Sequence, residues 1–297
     1  MTTTKQRRIG QFSVSPVGLG AMPFSMSDKP EKPSEEQAIA TVHAALDSGV
    51  TLIDTADIYA PSWDALGHNE RIVAHALRSY DGDVSNVVVA TKAGITRGVG
   101  ETWGRNSAPD YLRSRLESAL ATLGVDKLDL FYLHRPDRTR VYGSVMETLA
   151  AFKAEGLIAE IGISNANVEE IQIAVDVLGA GELAAVQNEF SPRFNDTSKS
   201  ELDFCARHGI AFLPWSPLGG TGGGAAAVGS RFPVLAEIAA AHGVSPQRVT
   251  LAWELALGDH VIVIPGASRP ESIIDSAGAM DLDLTGDEVN AISAAVL

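Results

Sequence analysis

Four residues in this chain have the types and spacing to move a proton: Asp54, Tyr59, Lys92 and His134. In the stretch TLIDTADIYA, residues 51–60, Val50, Leu52 and Asp54 fall on one face of a strand, because strand side chains alternate with period two. An inward apolar row that ends in a carboxylate is costly unless a cation meets it. Lys92 closes the next β-branched run and supplies that cation, while Tyr59 lies above the pair in the loop after Asp54. An ammonium beside a phenol favours the phenolate, and the carboxylate keeps the lysine protonated and oriented. Bringing a tyrosine from about 10 toward about 7 takes roughly 4 kcal/mol of differential interaction, so the sequence predicts a lowered Tyr59 pKa. His134 closes the following run, where it can donate a hydrogen bond to a substrate oxygen or relay a proton. Such a set protonates an oxygen that is gaining negative charge.

These residues need a scaffold of parallel strands. Short β-branched runs occur at VTLID (50–54), NVVVATK (86–92), KLDLFYLH (127–134), IAEIGISN (158–165), AAVQNEF (184–190), IAFLPWS (210–216) and HVIVIPG (260–266), after a weaker SPVGLGAM (15–22). Between them lie helical stripes such as Leu112, Leu116, Leu120 and Leu123, or Val145, Leu149 and Phe152. Ser107 with Asp110 and Asn167 with Glu170 read as capping boxes, and Ser245-Pro246 as a helix start. Gly49, Gly124, Gly156, Gly179, Gly209 and Gly243 stand where left-handed caps belong. Eight strands alternating with helices leave an open doubly wound sheet or a closed barrel. The first strand gives only GLGAM with no helix directly after it, which is a poor dinucleotide turn, and GGTGGG (219–224) comes after the seventh. The predicted fold is therefore α/β, a (β/α)8 TIM barrel. RRIGQFSVSPVGLG adds an N-terminal β-hairpin that closes one end, and extra helices lie near the C-terminus. Residues 219–229 read as a loop, and residues 1–297 as one domain.

Bulk properties narrow the partners. The 297-residue chain is 45% apolar and carries a formal charge of −14, which argues against nucleic acid or an anionic membrane. Any anionic ligand needs a local positive site. Cys205, the single cysteine, allows no intrachain disulfide and reads as core packing in a reducing compartment. MTTTKQRR has no apolar run behind its charges, and no run of 18 apolar residues occurs, so the expectation is a cytoplasmic protein. His68, Glu70 and His75 match no familiar zinc spacing. GHNERIV reads instead as a surface helix start, with Asn69-Glu70 bordering the mouth as the alternative. His43, His208, His242 and His260 lie away from strand ends and take no role, and no metal is expected.

In a (β/α)8 barrel the active site gathers at the C-terminal strand ends. Here those ends carry Asp54, Lys92, His134, Ser164-Asn165, Gln187-Asn188, Trp215-Ser216 and PGASRPE. The motifs LIDTADIY, VVVATK, DLFYLH, GISN, VQNEFSP and PWSPLGG, in this order, resemble the aldo-keto reductase family from about Gly10 to the C-terminus. The resemblance implies a barrel that binds a nicotinamide cofactor without a Rossmann fold, and a catalytic tetrad of Asp54, Tyr59, Lys92 and His134. It implies nicotinamide-amide ligands at Ser164, Asn165 and Gln187, and an aromatic platform at Trp215, where many members have tyrosine. It lays the pyrophosphate over Ser216, Pro217, Leu218, Gly219 and Gly220. The adenosine phosphate falls on IPGASRPES, where Gly266 replaces the lysine of many members and Ser268 and Arg269 remain to hold it. Adenine falls on Asp275 and Ser276. The implied cofactor is NADPH/NADP+ in preference to NADH, and the implied activity is reversible reduction of an aldehyde or ketone.

Two rivals stand beside this reading: a nicotinamide-binding sensor or regulatory subunit with vestigial turnover, and a Schiff-base barrel aldolase or isomerase using Lys92. The expected partner is a small-molecule carbonyl compound; the sequence leaves the oligomeric state open. Substrate choice is expected to rest on the loop Gly94 to Ala108, with Trp103, and on side chains near Trp63. The chain stops soon after a final helix over Thr285 to Ala295, so an open, permissive mouth is expected.

Overall fold

Seven strands build the centre: β3 (Leu19–Gly20), β4 (Leu52–Asp54), β5 (Val88–Ala93), β8 (Leu128–Leu133), β9 (Ile158–Ser164), β10 (Leu183–Glu189) and β11 (Ala211–Trp215). They pair in the order β11-β10-β9-β8-β5-β4-β3, with every pairing parallel. This computed structural model describes residues 6–26, 32–196, 198–220 and 223–296. Residues 1–5, and Thr221 and Gly222 of the glycine-rich run, lie outside them. The expected eighth strand, 260–266, forms single bridges instead of a continuous ladder: Val261 to Phe212 on one side, Val263 to Val17 and Gly266 to Gly20 on the other. Those bridges join both edges of the sheet, so the barrel is closed. Pro265 breaks the ladder because it has no N–H to give, although its carbonyl accepts from the Gly20 N–H.

Alternation sorts each strand. Leu52, Val88, Ala90, Leu130, Tyr132, Ala185, Ala211, Leu213, Ile262 and Ile264 fill the barrel interior, while Phe131, Leu133, Ile161, Ile163, Val186 and Phe212 pack outward under the helices. Tyr132 fits across the interior only because Gly162 has no side chain; a Cβ there would come 2.3 Å from the ring. The covering helices are α1 (Glu35–Asp47), α2 (His68–Ser79), α3 (Pro109–Leu123), α4 (Tyr142–Ala154), α5 (Val168–Leu178), α6 (Lys199–His208), α7 (Gly224–Arg231), α8 (Pro233–His242), α9 (Pro246–Ala256), α10 (Pro270–Ala277) and α11 (Gly286–Val296). None is long and apolar enough to cross a membrane among the described residues.

The N-terminal hairpin exists as expected: β1 (Arg7–Ile9) pairs antiparallel with β2 (Phe12–Val14). Ile9 and Val14 join the interior cluster, so the hairpin caps the barrel end opposite the strand C-termini. Arg7 fastens it by donating to the carbonyls of Leu255, Gly258 and Val261.

Several local expectations change. The Asn167–Glu170 capping box forms, and Ser245 caps α9 through the Arg248 N–H. The Ser107–Asp110 box does not: α3 starts after Ala108 with Pro109 in its first turn, and the Ser107 N–H is taken by Asp137. Residues 219–229 are not all loop, because the small residues from Gly224 onward form α7. Gly179 ends α5 at φ 98°, ψ 162°, an extended glycine geometry and not a left-handed helical cap. Residues 94–108 hold a second hairpin, β6 (Ile95–Gly98) with β7 (Thr102–Arg105).

Candidate active site

Even-numbered positions point inward on β4, β5, β8 and β9, and odd-numbered ones on β10, so that the inward positions at the strand ends are Asp54, Lys92, His134, Ser164 and Gln187. The period that fills the barrel with leucine and alanine thus also turns its last polar layer to one centre. Lys92 is fully buried, with its Nζ 2.5 Å from Asp54 Oδ1 and 2.8 Å from the Thr55 carbonyl. Gln187 Nε2 donates to the other carboxylate oxygen at 2.8 Å. Asp54 is therefore held on both sides.

Tyr59 hangs over this pair. The segment after β4 keeps bonding to β5 through Thr55 N–H to Ala90 O and Asp57 N–H to Lys92 O. Lys92 Nζ lies 5.2 Å from the centre of the Tyr59 ring, and His134 meets that ring edge-on with centroids 5.8 Å apart. Asp54, Tyr59, Lys92 and His134 thus lie together at one rim. Their electrostatics differ from expectation in one respect: Tyr59 sits above its ordinary pKa and not below. Removal from water raises it, the Lys92 ammonium lowers it, and the Asp54 and Asp57 charges push it back up. For Lys92 burial works against the charge, but Asp54 and Tyr59 outweigh it, so the ammonium is held above its ordinary value. His134 is held well below, first by burial and then by the Lys92 and Arg135 charges, and is neutral at pH 7.

The next strand ends are knitted together. Ser164 Oγ donates to the Gln187 carbonyl at 2.7 Å, and Asn165 Nδ2 donates to the His134 carbonyl and to Ser164 Oγ. Asn165 and Ser216 both adopt positive φ, 59° and 56°, uncommon for residues with a Cβ. Trp215, beside Glu189 in the β10–β11 register, keeps its indole N–H buried without a partner. After Ser216, Pro217 and Leu218 lead to Gly219 and Gly220 at φ 91° and 79°; the Gly219 N–H closes the turn on the Ser216 carbonyl. Gly266 stands against Gly20 and Pro23, where a side chain would be crowded. Ser268 gives its carbonyl to Gln37, while Arg269 is exposed at the start of α10 and bonds Ser272. Ser276 is buried, and Asp275 pairs with Arg248 and accepts from Ser245, which commits its carboxylate to neighbouring helices.

Sequence reasoning missed the layer beneath the tetrad. Asn69 and Glu70 are fully buried, contrary to a surface helix start. Asn69 bridges Thr55, Ser25 and the Ala21 carbonyl, and Glu70 accepts from Thr91, the residue before Lys92. Asp57 is paired with Arg115 at 2.9 Å, yet burial, helped by Glu70, raises it to about 7. The repeat of a carboxylate three residues after Asp54 was the available signal. His68 and His75 diverge to Ser25 and Glu35, and among the described residues no group of three metal-type ligands gathers.

Comparison with known proteins gives concordant results. A model of the Aldo/keto reductase family matches residues 16–296. Pyridoxine 4-dehydrogenase of Escherichia coli is 29% identical over 292 residues, covering 96% of each chain. The 6-dehydroglucose reductase of Novosphingobium aromaticivorans is 31% identical over 282 residues, covering 92% of this chain and 90% of its own. An aldo/keto reductase from Klebsiella pneumoniae, crystallised with NADP and acetate, superposes with a TM-score of 0.81 at 26% identity over 99% of this chain and 96% of that one.

Proposed function

The chain belongs to the aldo/keto reductase family and is an NAD(P)H-dependent oxidoreductase, and on that premise we propose that it reduces an aldehyde or ketone to the alcohol, with Tyr59 as proton donor. The supporting observation is the Lys92–Asp54 pair buried beneath the Tyr59 ring. Bound NADPH supplies the hydride. Everything else falls to side chains of this chain. The His134 imidazole, kept neutral, donates a hydrogen bond that orients the carbonyl oxygen. Tyr59 holds its proton at neutral pH because its pKa is raised, and gives it up only to a stronger base. An oxygen that is becoming an alkoxide is such a base, and the fixed Lys92 ammonium stabilises the phenolate left behind. Asp54, anchored by Gln187, keeps that ammonium aimed.

The residues fit a nicotinamide dinucleotide. Ser164, Asn165 and Gln187 offer amide and hydroxyl groups beside the tetrad, and Trp215 gives an aromatic face. The backbone N–H groups of Ser216, Leu218 and Gly220 remain to meet a pyrophosphate, since Pro217 has none and Gly219 gives its own to the Ser216 carbonyl. Ser268 and Arg269, at the start of α10, suit the 2′-phosphate of NADPH, and Ser276 with Asp275 lies further along that helix.

A Schiff-base mechanism is disfavoured, since a lysine held as ammonium has no lone pair to attack a carbonyl. Consumption of NADPH by a panel of aldehydes and ketones tests the proposal, with pyridoxal among them because of the relatives found. Tyr59→Phe should lower kcat by about 10²–10⁴-fold and leave NADPH affinity intact. Normal turnover by that variant would remove Tyr59 as the donor. A native protein that binds NADPH but reduces no carbonyl in a single turnover would favour the sensor reading.

A further inference from the structure

Arg135 follows His134 directly and is half-buried at the same rim. Among the described residues its guanidinium makes no hydrogen bond and no close ion pair. That is unusual for a charge partly removed from water. Its surroundings make it more so. Arg105, at the end of β7, reaches the same place, its Nη1 donating to the carbonyl of Pro136 at 3.4 Å. The field of Arg105 disfavours the Arg135 charge, as burial does, and Glu189 and Tyr59 favour it. Glu189 is shared, because Arg193 acts on it too. Two guanidiniums, Arg135 and Arg193, therefore share the Glu189 carboxylate, and a third, Arg105, stands near Arg135, in a protein whose formal charge is −14. The Arg193 guanidinium lies over the Phe194 ring, 4.7 Å from its centre, whereas Arg135 is within the field of Tyr59 and His134, with Arg105 near it.

We propose that Arg135, backed by Arg105, binds an anionic group on the substrate, so that the preferred substrates are aldehydes or ketones carrying a carboxylate or a phosphate. The inference rests on the reductase reading and adds to it the substrate class. Arginine suits the task because its planar fork grips either group through two parallel hydrogen bonds. The anion would give Arg135 the partner it lacks, and the adjacent His134 and Tyr59 would then receive the carbonyl.

The test compares matched substrates with the full-length protein and NADPH: 4-formylbenzoate against its methyl ester, and glyceraldehyde 3-phosphate against glyceraldehyde. In at least one pair the anionic member should show kcat/KM about tenfold higher or more, carried by KM, as a charge-assisted hydrogen bond allows. Which pair responds separates carboxylate from phosphate. Arg135→Gln should bring the ratio to about one, Arg135→Lys should keep part of it, and added salt should shrink it. A ratio near one in the native protein, or an unchanged ratio in Arg135→Gln, overturns the proposal. So does a loss of NADPH affinity in Arg135→Gln, which would assign the side chain to the cofactor. Calorimetric binding of benzoate against benzamide separates the two layers of the argument. If no aldehyde is reduced but benzoate binds better through Arg135, the reductase reading falls and the anion site stands. If neither is seen, both fall.

Discussion

Lys92 and Asp54 form a pair that is costly for the fold and that the proposed mechanism puts to use. Both are buried in the barrel mouth, and each has a second fixed partner, the Thr55 carbonyl for Lys92 and Gln187 for Asp54. A buried pair adds little stability over an apolar replacement, but removing one member strands the other. Lys92→Met should therefore cost about 3–5 kcal/mol in urea denaturation. Adding Asp54→Asn should recover most of that loss, because the stranded carboxylate becomes a neutral amide still able to bond Gln187. Turnover should stay absent in both, since neither supplies a cation for the Tyr59 phenolate. Recovery of turnover with stability would contradict the role given to Lys92. The raised Tyr59 pKa carries a sign of its own: reduction needs the proton present, so its rate should hold through neutral pH and fall only above about 10.

At the scale of elements, the β6–β7 hairpin does more than form a wall. Arg97, on β6, is nearly buried; its Nη1 donates to the Ala60 carbonyl at 2.6 Å and to Ile58 at 3.4 Å, the residues on either side of Tyr59. Its Nε bonds Glu101, which in turn accepts from the Trp63 N–H, and its guanidinium stacks on Trp103. The hairpin is thus latched to the segment that presents Tyr59. Arg97→Ala should lower kcat about tenfold, a charged hydrogen bond's worth of positioning, with NADPH affinity kept and partial rescue by Arg97→Lys. An effect confined to KM would instead make Arg97 a substrate contact. This hairpin was readable as alternation in ITRGVGETWGR around a glycine-rich turn, but a stretch between a strand and a helix is ordinarily a loop, and the periodic signal is only four residues long on each side. Asn69 and Glu70 were hidden for a different reason. Polar residues at a helix start usually face water, and only the packing of α2 against β4 and β5 turns these inward.

For the whole molecule, burial of acids shapes the response to pH. Glu254, in α9, is fully buried with neither carboxylate oxygen partnered, and burial alone holds its pKa well above the ordinary value. Asp57 is raised to about 7. In both, the folded state binds the proton more tightly than the unfolded chain. Their contribution is present below the unfolded carboxylate range and is lost as pH rises through the folded values. His134 has the opposite sign, since its folded pKa is depressed and the unfolded chain takes up the proton first as pH falls. A comparison of variants isolates one group. Glu254→Gln should gain stability relative to the native protein on going from about pH 5 to about pH 8, at up to about 1.4 kcal/mol per pH unit. A constant difference in unfolding free energy across that range would mean Glu254 is not a buried acid.

The sequence alone determined the alternating strands and helices, the capping hairpin and which polar side chains meet at one rim, because period-two alternation fixes which side chains face inward and a barrel fixes which strand ends share a rim. Asp54, Lys92, His134, Ser164 and Gln187 were legible for that reason. Tertiary structure decided what depends on distance and on removal from water. It closed the barrel through single bridges at 261–266 where Pro265 prevents a ladder, turned Asn69 and Glu70 inward, and latched Arg97 over the Tyr59 segment. It also reversed the expected shift of Tyr59, since the cost of burying a phenolate outweighs the pull of one ammonium when two carboxylates stand nearby. Such a balance is a sum over neighbours in three dimensions, and no spacing along the chain encodes it.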